Sequence, residues 1–435
     1  MANQFKTSRK TELVALRSAE AAAYLRVGSK KYFKDQLKGK RNGTTYDYVI
    51  RDRGEYVRGI DISGHGASNL VERKVSKSIK VGNIPIATNI IEPVTDADWD
   101  TEVAYPNGKA LINGVVQDVI NGIEGKEVDG VVYDGVYDGD FGCQNTAFAG
   151  IGYGPLTSAS NYLASIADED RYFFIDPMIN SKLSTAGDAF RPKDAEPMFS
   201  RGLIGTLGGQ EVRTCQFMPL VSVTAALDTA VKAGSGFTYA DNDDGTATIT
   251  LGGVNQLIPR GYVIWVKGAY ATDLVGDRSS QLKAFIAVKD GTENGKAIVK
   301  AVDDFTGTGT KQLCLIDGSA LGANKSAAIA KLNDLGSQPG GFIGLGAGNW
   351  FTGICRVSGA MEFETLDEID ASNAETEFAK NEGVGVFMNR AIDTLKGTNT
   401  TRWTTIYMAG IVEPRAVSLI LVKDADVNLV NVVNQ

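Results

Sequence analysis

Residues 401–422 read TRWTTIYMAGIVEPRAVSLILV, and this stretch decides how the fold is interpreted. Two apolar runs rich in β-branched and aromatic residues flank Glu413, Pro414 and Arg415. Such residues suit a pleated, half-buried surface, so each run predicts a strand. Pro414 cannot donate a hydrogen bond to a strand ladder, so the break predicts an edge, a bulge or a hinge. The pattern alone indicates that this part of the chain lies in a sheet.

The composition is that of an ordinary soluble globular protein, with 43% hydrophobic and 22% charged residues. A length of 435 residues predicts about two or three domains, and the 50 glycines predict many turns. The start, MANQFKTSRK, has no apolar stretch behind its charges, so we expect no secretory signal. No run reaches the roughly 18 apolar residues of a membrane-spanning helix. We therefore expect a protein kept in the cytoplasm unless a larger particle carries it out.

Charge is distributed unevenly along the chain. Residues 1–80 carry 18 Lys or Arg and 8 Asp or Glu, whereas residues 81–435 carry 26 and 44. A basic segment on an acidic body predicts contact with nucleic acid, with an acidic partner or with the body of another copy. The alternative is a solvated helix face together with strand-edge Lys and Arg that discourage aggregation.

Residues 45–81 alternate between apolar and charged side chains, as in TYDYVIRDRGEYVRGIDI and KVSKSIKV. This alternation predicts a long hairpin whose two faces are both partly polar. Such a hairpin has little core of its own and is marginal in isolation. We therefore expect it to lie against another chain.

Helical patterns occur at several places. Residues 11–26 predict an amphipathic helix, and residues 107–123 repeat an apolar pair every four residues, which predicts a core-facing helix. Asp176 is a predicted helix N-cap directly after the predicted strand RYFFI at 171–175. Residues 373–382 predict a helix that opens with a capping box.

Residues 222–325 are predicted to form a separate β unit. Short strand-like runs alternate with turn signals such as Asp244-Gly245 and Asn294-Gly295. Close turns between short strands predict a small barrel or sandwich. The run DNDDG, which contains Asp241, Asp243 and Asp244, superficially suggests calcium, but its glycine falls one place early for a calcium loop. A hairpin turn is the simpler interpretation.

Other candidates for chemistry are weak. His65 is the single histidine and lies between two glycines, which provides few partners to orient it for acid–base or metal chemistry. The run GLGAGNW at 344–350 lacks dinucleotide-binding spacing and predicts a tight loop or core turn. The four cysteines are spaced too far apart for a zinc ribbon or a redox pair, so we expect buried small hydrophobes. We therefore expect no catalytic residues, no cofactor and no metal.

The exact residue order of 401–422 is more specific than its pattern of apolar strands. The stretch has, in order, an Arg, an aromatic residue, Tyr, a small residue and Gly, and then Pro-Arg-Ala and an apolar strand. This order resembles the C-terminal strands of tailed-bacteriophage major coat proteins. In particular, the chain resembles the Salmonella short-tailed phage subtype, which has an inserted domain. Further segments that resemble this family are RYFFIDPMINSKLSTAG (171–187), VRTCQFMPLVSVTA (212–225) and GVFMNRAIDTLKGTNTTR (385–402).

The resemblance implies an α+β tailed-phage major capsid fold of the Hong-Kong-97 type with an inserted all-β, barrel-like domain. By position it implies these parts: an N-terminal arm at 1–30, an extended loop at 31–95, a peripheral domain with its spine helix at 96–135, an axial and peripheral part at 136–221, the inserted β domain at 222–325, a second axial part at 326–400, and a C-terminal strand pair at 401–435 that completes the peripheral domain.

The resemblance also implies a function. The chain would self-assemble as pentamers and hexamers into the icosahedral head around double-stranded DNA, which it would not bind sequence-specifically. Scaffolding and portal proteins would be partners, no membrane would be involved, and the virion would be its location after assembly in the host cytoplasm. Candidate inter-capsomer contacts are Asp241, Asp243 and Asp244, and candidate assembly contacts in the arm and loop are Lys30, Lys31, Lys34, Arg51, Arg53 and Arg58. Two alternatives stay open: a secreted or surface β-rich binding protein, and a hydrolase that uses carboxylates alone.

Overall fold

The computed structural model of the chain is a mixed α+β fold in which strands outnumber helices. The residues that the structure describes are 11–18, 23–26, 37, 45–51, 72–89, 100–121, 137, 141–145, 154–166, 169–180, 203–207, 210–242, 245–272, 278–302, 314–316, 325–366, 376–393 and 398–424.

The helices in chain order are α1 (Ala23–Arg26), α2 (Tyr105–Asn121), α3 (Gly154–Ile166), α4 (Ala225–Ala233) and α5 (Lys325–Ser337). Residues 11–18 and 177–180 are also helical. A π-helical turn, Asp100–Ala104, leads into α2, and a 3-10 turn covers Pro414–Ala416.

The strands in chain order are β1 (Thr45–Arg51), β2 (Glu72–Ser78), β3 (Lys80–Asn89), β4 (Phe141–Asn145), β5 (Arg171–Ile175), β6 (Leu203–Leu207), β7 (Gln210–Thr214), β8 (Leu220–Val223), β9 (Phe237–Asp241), β10 (Thr246–Leu251), β11 (Val263–Thr272), β12 (Arg278–Ile286), β13 (Lys296–Lys300), β14 (Cys314–Ile316), β15 (Phe342–Gly344), β16 (Gly348–Val357), β17 (Met361–Thr365), β18 (Thr376–Asn381), β19 (Val384–Asp393), β20 (Thr398–Ile411) and β21 (Val417–Lys423).

The two apolar runs of 401–422 do form strands, β20 and β21, as predicted. They lie in different sheets, however, so the prediction of a terminal strand pair is wrong. The reason is the 3-10 turn Pro414–Ala416, which has extended residues on both sides, with φ of −123° at Glu413 and −126° at Val417. This turn redirects the chain between sheets instead of folding it back on itself.

The seven-stranded sheet has β16 near its centre. Its order is β4-β21-β16-β5-β7-β6, and β8 also pairs with β16. β21 runs antiparallel to β16 and parallel to β4, so the C-terminal strand completes a sheet begun far upstream. Helix α3 packs on β21, β4 and β16, and all side chains of β16 from Trp350 to Val357 are buried.

The five-stranded sheet is built around the long strand β20. β20 pairs with β3, β19 and β17, and β18 joins through β19. Helix α2 packs on β3 and β20, where a Cβ at Gly82 would lie 3.5 Å from Val115 Cγ2. The apolar pairs of this helix are buried, as its four-residue repeat predicts: Leu111, Ile112, Val115, Val116, Val119 and Ile120.

Residues 222–344 contain two further sheets. Strands β13, β10 and β9 form one, and β12, β11, β14 and β15 form the other, and a bridge from Ala287 to Val299 joins them. The predicted short strands are therefore present. The region also holds α4 and α5, and α5 packs on β9 and β11, so the β strands of this part do not stand alone.

One hydrophobic cluster continues from the body into this region, because it includes Val115, Phe174 and Leu419 together with Tyr239 and Val263.

Two local predictions have opposite outcomes. The backbone N–H of Met178 donates to Asp176 Oδ1 at 2.7 Å, which confirms the N-cap. The helix predicted at 373–382 is wrong, because residues 376–381 form β18, whose Phe378 ring lies 4.7 Å from Phe387 of β19. Pairing with β19 prevails over the local capping signal.

Candidate interaction surfaces

Strands β1 and β2 form the two-stranded ribbon that the alternation at 45–81 predicts. Thr45 lies opposite Ser78, and Arg51 lies opposite Glu72. Among the ribbon side chains that the structure describes, Tyr48 is buried, at 4% exposed, and packs in a cluster with Met408 and Val412. Val49, on the opposite face of the ribbon, is 44% exposed. A ribbon of two strands has little stability of its own, and Tyr48 packs this one against Met408 of β20.

The ribbon is shorter than the predicted extended loop at 31–95. Residues 80–89 form β3, which is paired along its length with β20, from Lys80 opposite Tyr407 to Asn89 opposite Thr398. Pro85 in the middle of β3 is exposed and occupies an edge position, where the missing N–H does no harm. This last part of the 31–95 segment is therefore integral to the five-stranded sheet.

The predicted basic contacts fall mostly outside the described residues. Arg51 ends β1 opposite Glu72. The others lie in parts of the chain that the structure does not describe: Lys30, Lys31, Lys34, Arg53 and Arg58.

The strands on either side of the DNDDG run, β9 and β10, pair antiparallel from Asp241 opposite Ala247 to Phe237 opposite Leu251, as the simpler interpretation of a hairpin predicts. Asn242 donates from its side chain to Thr246 Oγ1 at 2.9 Å and to Thr248 Oγ1 at 3.1 Å, and these bonds hold the turn. The Asp241 carboxylate pairs with Lys325 Nζ at the start of α5, within the same chain. Asp243 and Asp244 lie outside the described residues.

Arg356 on β16 is a buried charged residue that was not predicted. It is fully buried, and its guanidinium donates to Tyr24 O at 2.7 Å and to Met361 O at 3.0 Å. The same group lies 5.0 Å from the Phe174 ring centre and 5.6 Å from that of Tyr24. Burial lowers the pKa of Arg356 to about 10, and the neighbouring Tyr24 and Tyr172 partly oppose this shift. An arginine inside the apolar run GICRV is the signal that could have identified it.

The described part of the predicted N-terminal arm is buried against its own subunit. Thr11, Val14 and Ser18 are each 0% exposed, and Leu25 is 2% exposed. These residues contact the body of the same chain, which differs from an arm that only reaches across to another copy.

Little in the described residues suggests chemistry. They contain no group of three His, Cys, Asp or Glu that could hold a metal ion, and no helix among them is long and apolar enough to span a membrane. His65 lies outside them. Burial raises the pKa of Cys215 to about 12, so this thiol is a poor nucleophile. The glycine run at 344–350 is a core turn from β15 into β16, held by Trp350 Nε1, which donates to Gly346 O at 2.9 Å.

No protein-family model matches the chain. No curated protein matches it. Three solved structures illustrate what the fold is similar to. The capsid of Ralstonia phage GP4 is 7% identical, with a TM-score of 0.42 over 92% of this chain and 92% of that chain. The capsid of a native GTA particle is 8% identical, with a TM-score of 0.41 over 93% and 90%. The capsid structure of the cyanophage P-SCSP1u is 10% identical, with a TM-score of 0.39 over 91% and 89%.

Proposed function

We propose that the chain is the major capsid protein of a tailed double-stranded DNA bacteriophage. Many copies form pentamers and hexamers that close into the icosahedral head. The observation that carries the proposal is the β1–β2 ribbon, because a two-stranded ribbon is marginal in isolation and its exposed Val49 offers an apolar side chain for a neighbour to cover. The resemblance of residues 401–422, 171–187 and 385–402 to tailed-phage coat proteins supports the same assignment.

The charge distribution fits contacts between copies. Residues 31–80, which include the ribbon and carry 12 Lys or Arg and 6 Asp or Glu, face the acidic remainder of the next subunit. Each exposed ion pair contributes only about 0–1 kcal/mol, so a misplaced subunit can leave again, while many simultaneous contacts stabilise the closed shell. Contacts that close by rotation generate the rings of five and six.

Within this proposal, the ribbon carries Arg51, Arg53 and Arg58 to a neighbouring subunit, and Lys30, Lys31 and Lys34 precede it. The acidic hairpin contributes a contact between capsomers. Because Asp241 already pairs with Lys325 of its own chain, Asp243 and Asp244 are the residues that would meet another subunit.

The finer architecture follows the same proposal. Helix α2 is the spine helix of the peripheral domain, and the two sheets joined by the Ala287–Val299 bridge form the inserted barrel-like domain, with α5 along its side. Scaffolding and portal proteins are assembly partners in the host cytoplasm, and the mature location is the virion. An acidic protein grips DNA phosphates weakly, so the packaged DNA is enclosed without being bound tightly.

The hydrolase alternative gains no support from the acidic side chains that the structure brings together. Glu362 and Glu364 share one face of β17, but they are 1% and 5% exposed. A substrate cannot reach two carboxylates buried in this way.

The test is a shortened ribbon that keeps its root. Tyr48 lies opposite Val75, so residues 49–74 are replaced by Asn-Gly, a pair suited to a two-residue hairpin loop. We expect this variant to unfold at the same temperature as the full chain but to form no closed shells by negative-stain electron microscopy. Shells of normal size from the shortened chain, or a full-length chain that stays monomeric with every scaffolding protein tried, would refute the proposal.

A further inference from the structure

Residues 11–18 together with α1 are here called the strap. The strap touches three separate parts of the subunit. At its start, Thr11 Oγ1 donates to Glu377 Oε2 at 3.2 Å, on β18 of the five-stranded sheet. In its middle, Ser18 Oγ donates to Gly108 O of α2 at 3.1 Å, in a buried position. At its end, Tyr24 O accepts from Arg356 on β16 of the seven-stranded sheet. A short segment of chain thus links both large sheets and helix α2.

The contact between the strap and α2 depends on the absence of a side chain at Gly108. A Cβ at Gly108 would lie 2.8 Å from Val14 O, 3.0 Å from Arg17 Cβ and 3.3 Å from Ser18 N. The first of these separations is closer than real Cβ atoms come to backbone, so the strap helix can pack here only against glycine. Arg17 extends the contact, with its guanidinium 5.4 Å from the Tyr105 ring centre.

The contact with β16 depends on a buried cation. Arg356 holds the backbone of Tyr24 by a hydrogen bond from a charged donor, and the Tyr24 ring meets Phe174 edge to face at 4.6 Å. Tyr24 and Leu25 are 6% and 2% exposed, so this end of the strap is part of the core. Arginine is suited to the role because its planar group serves two carbonyl oxygens at once.

We propose that the strap is an internal tie that fixes α2 and the two large sheets in one relative orientation, and that its docking on Gly108 is required for closed assembly. The second half of this inference rests on the proposed function. The angle at which copies meet in a closed shell follows from the shape of each subunit, so a subunit whose sheets shift does not close a ring. In this proposal the ribbon, and not the strap, makes the contacts between copies.

Two glycine substitutions in the same helix provide the test. Gly108→Ala inserts a methyl group into the strap contact, whereas the matched control Gly114→Ala meets nothing within 4 Å. Both replace glycine by a better helix former, so both strengthen α2 in the same way. Backbone hydrogen exchange of the full-length, unassembled chain is measured by mass spectrometry.

In Gly108→Ala we expect exchange in residues 11–18 to rise about tenfold or more, the size that overpacking a close contact produces. Exchange in α2 stays slow in both variants, and Gly114→Ala matches the natural chain in residues 11–18. Ser18→Ala, which removes the hydrogen bond to Gly108 and adds no atoms, is a second variant with an expected rise of about threefold. Unchanged exchange in residues 11–18 of both Gly108→Ala and Ser18→Ala overturns the strap, as does equal loss of protection throughout the molecule.

Assembly is scored separately by electron microscopy. We expect shells from the natural chain and from Gly114→Ala but not from Gly108→Ala. Normal shells from Gly108→Ala with a released strap overturn the requirement for docking. If the natural chain itself forms no shells, the proposed function fails, while the exchange results still decide whether the strap exists.

Discussion

Tyr137 is expected to fasten residues 222–344 to the rest of the subunit. Its ring is 3% exposed and occupies the space beside Gly261, where an added Cβ would lie 2.5 Å from Tyr137 Cζ and 2.6 Å from Val221 Cγ2. Gly261 also has φ of +78°, so both the lack of space and the backbone conformation favour glycine at this position. Arg260 adds a cation 5.1 Å from the centre of the Tyr137 ring.

The magnitude of Tyr137→Ala follows from these contacts. Truncating a buried aromatic ring costs about 3–5 kcal/mol. The partly exposed Arg260 contributes a further 0.5–1 kcal/mol, roughly, by its interaction with the ring. We expect a loss of about 4 kcal/mol in the free energy of unfolding, since some collapse around the cavity offsets the sum. Tyr137→Phe keeps the ring and should lose about 1 kcal/mol or less.

Urea unfolding followed by circular dichroism measures both variants. The natural chain should unfold in one transition, because a single hydrophobic cluster runs through the body and this region. In Tyr137→Ala, hydrogen exchange should quicken at residues 258–263 before it quickens in β16. A loss below about 1 kcal/mol for Tyr137→Ala, or equal losses for the Ala and Phe variants, would refute the reasoning.

Three further outcomes are expected. Burial raises the pKa values of Tyr24, Tyr137 and Tyr262, so they ionise more readily in the unfolded chain. Stability is therefore full below the ordinary tyrosine pKa of about 10 and falls as pH rises above it, which urea midpoints and tyrosinate absorbance will follow. Glu382 has φ of +43° in a two-residue hairpin loop, so Glu382→Asn should raise the free energy of unfolding by about 0.5–1 kcal/mol; a destabilised variant in thermal melts would contradict this. Cys215, whose pKa burial raises to about 12, should resist alkylation at pH 8 until urea unfolds the chain, and rapid native labelling mapped by mass spectrometry would exclude that burial.

Several elements were predictable because their signals are local. The repeated apolar pairs of α2 and the alternation of β10 specify which face is buried, whatever lies opposite. The Asp176 cap is equally local, since donor and acceptor are two residues apart. The capping signal at 372–375 failed for the complementary reason. Residues 376–381 find a better partner in β19, and a local signal cannot anticipate that pairing.

The candidate interaction surfaces were likewise predictable only where their signals are local. The alternation at 45–81 predicted the ribbon and its small core, but did not show that β3 leaves the ribbon to pair with β20. The acidic hairpin was predicted, whereas the pairing of Asp241 with Lys325 depends on where α5 packs. Arg356 was missed altogether, because its acceptor on Tyr24 is distant in sequence and close only in the fold.

The sequence by itself determined the strands β20 and β21, the apolar stripe of α2 and the phage-like residue order around Pro414. Only the tertiary structure decided that β20 and β21 belong to different sheets, and that the N-terminal segment is tied to the body at Gly108 and Arg356. The physical reason is that periodicity tells which face of an element is buried, whereas the choice of partner depends on the free energy of contacts between residues far apart in the chain.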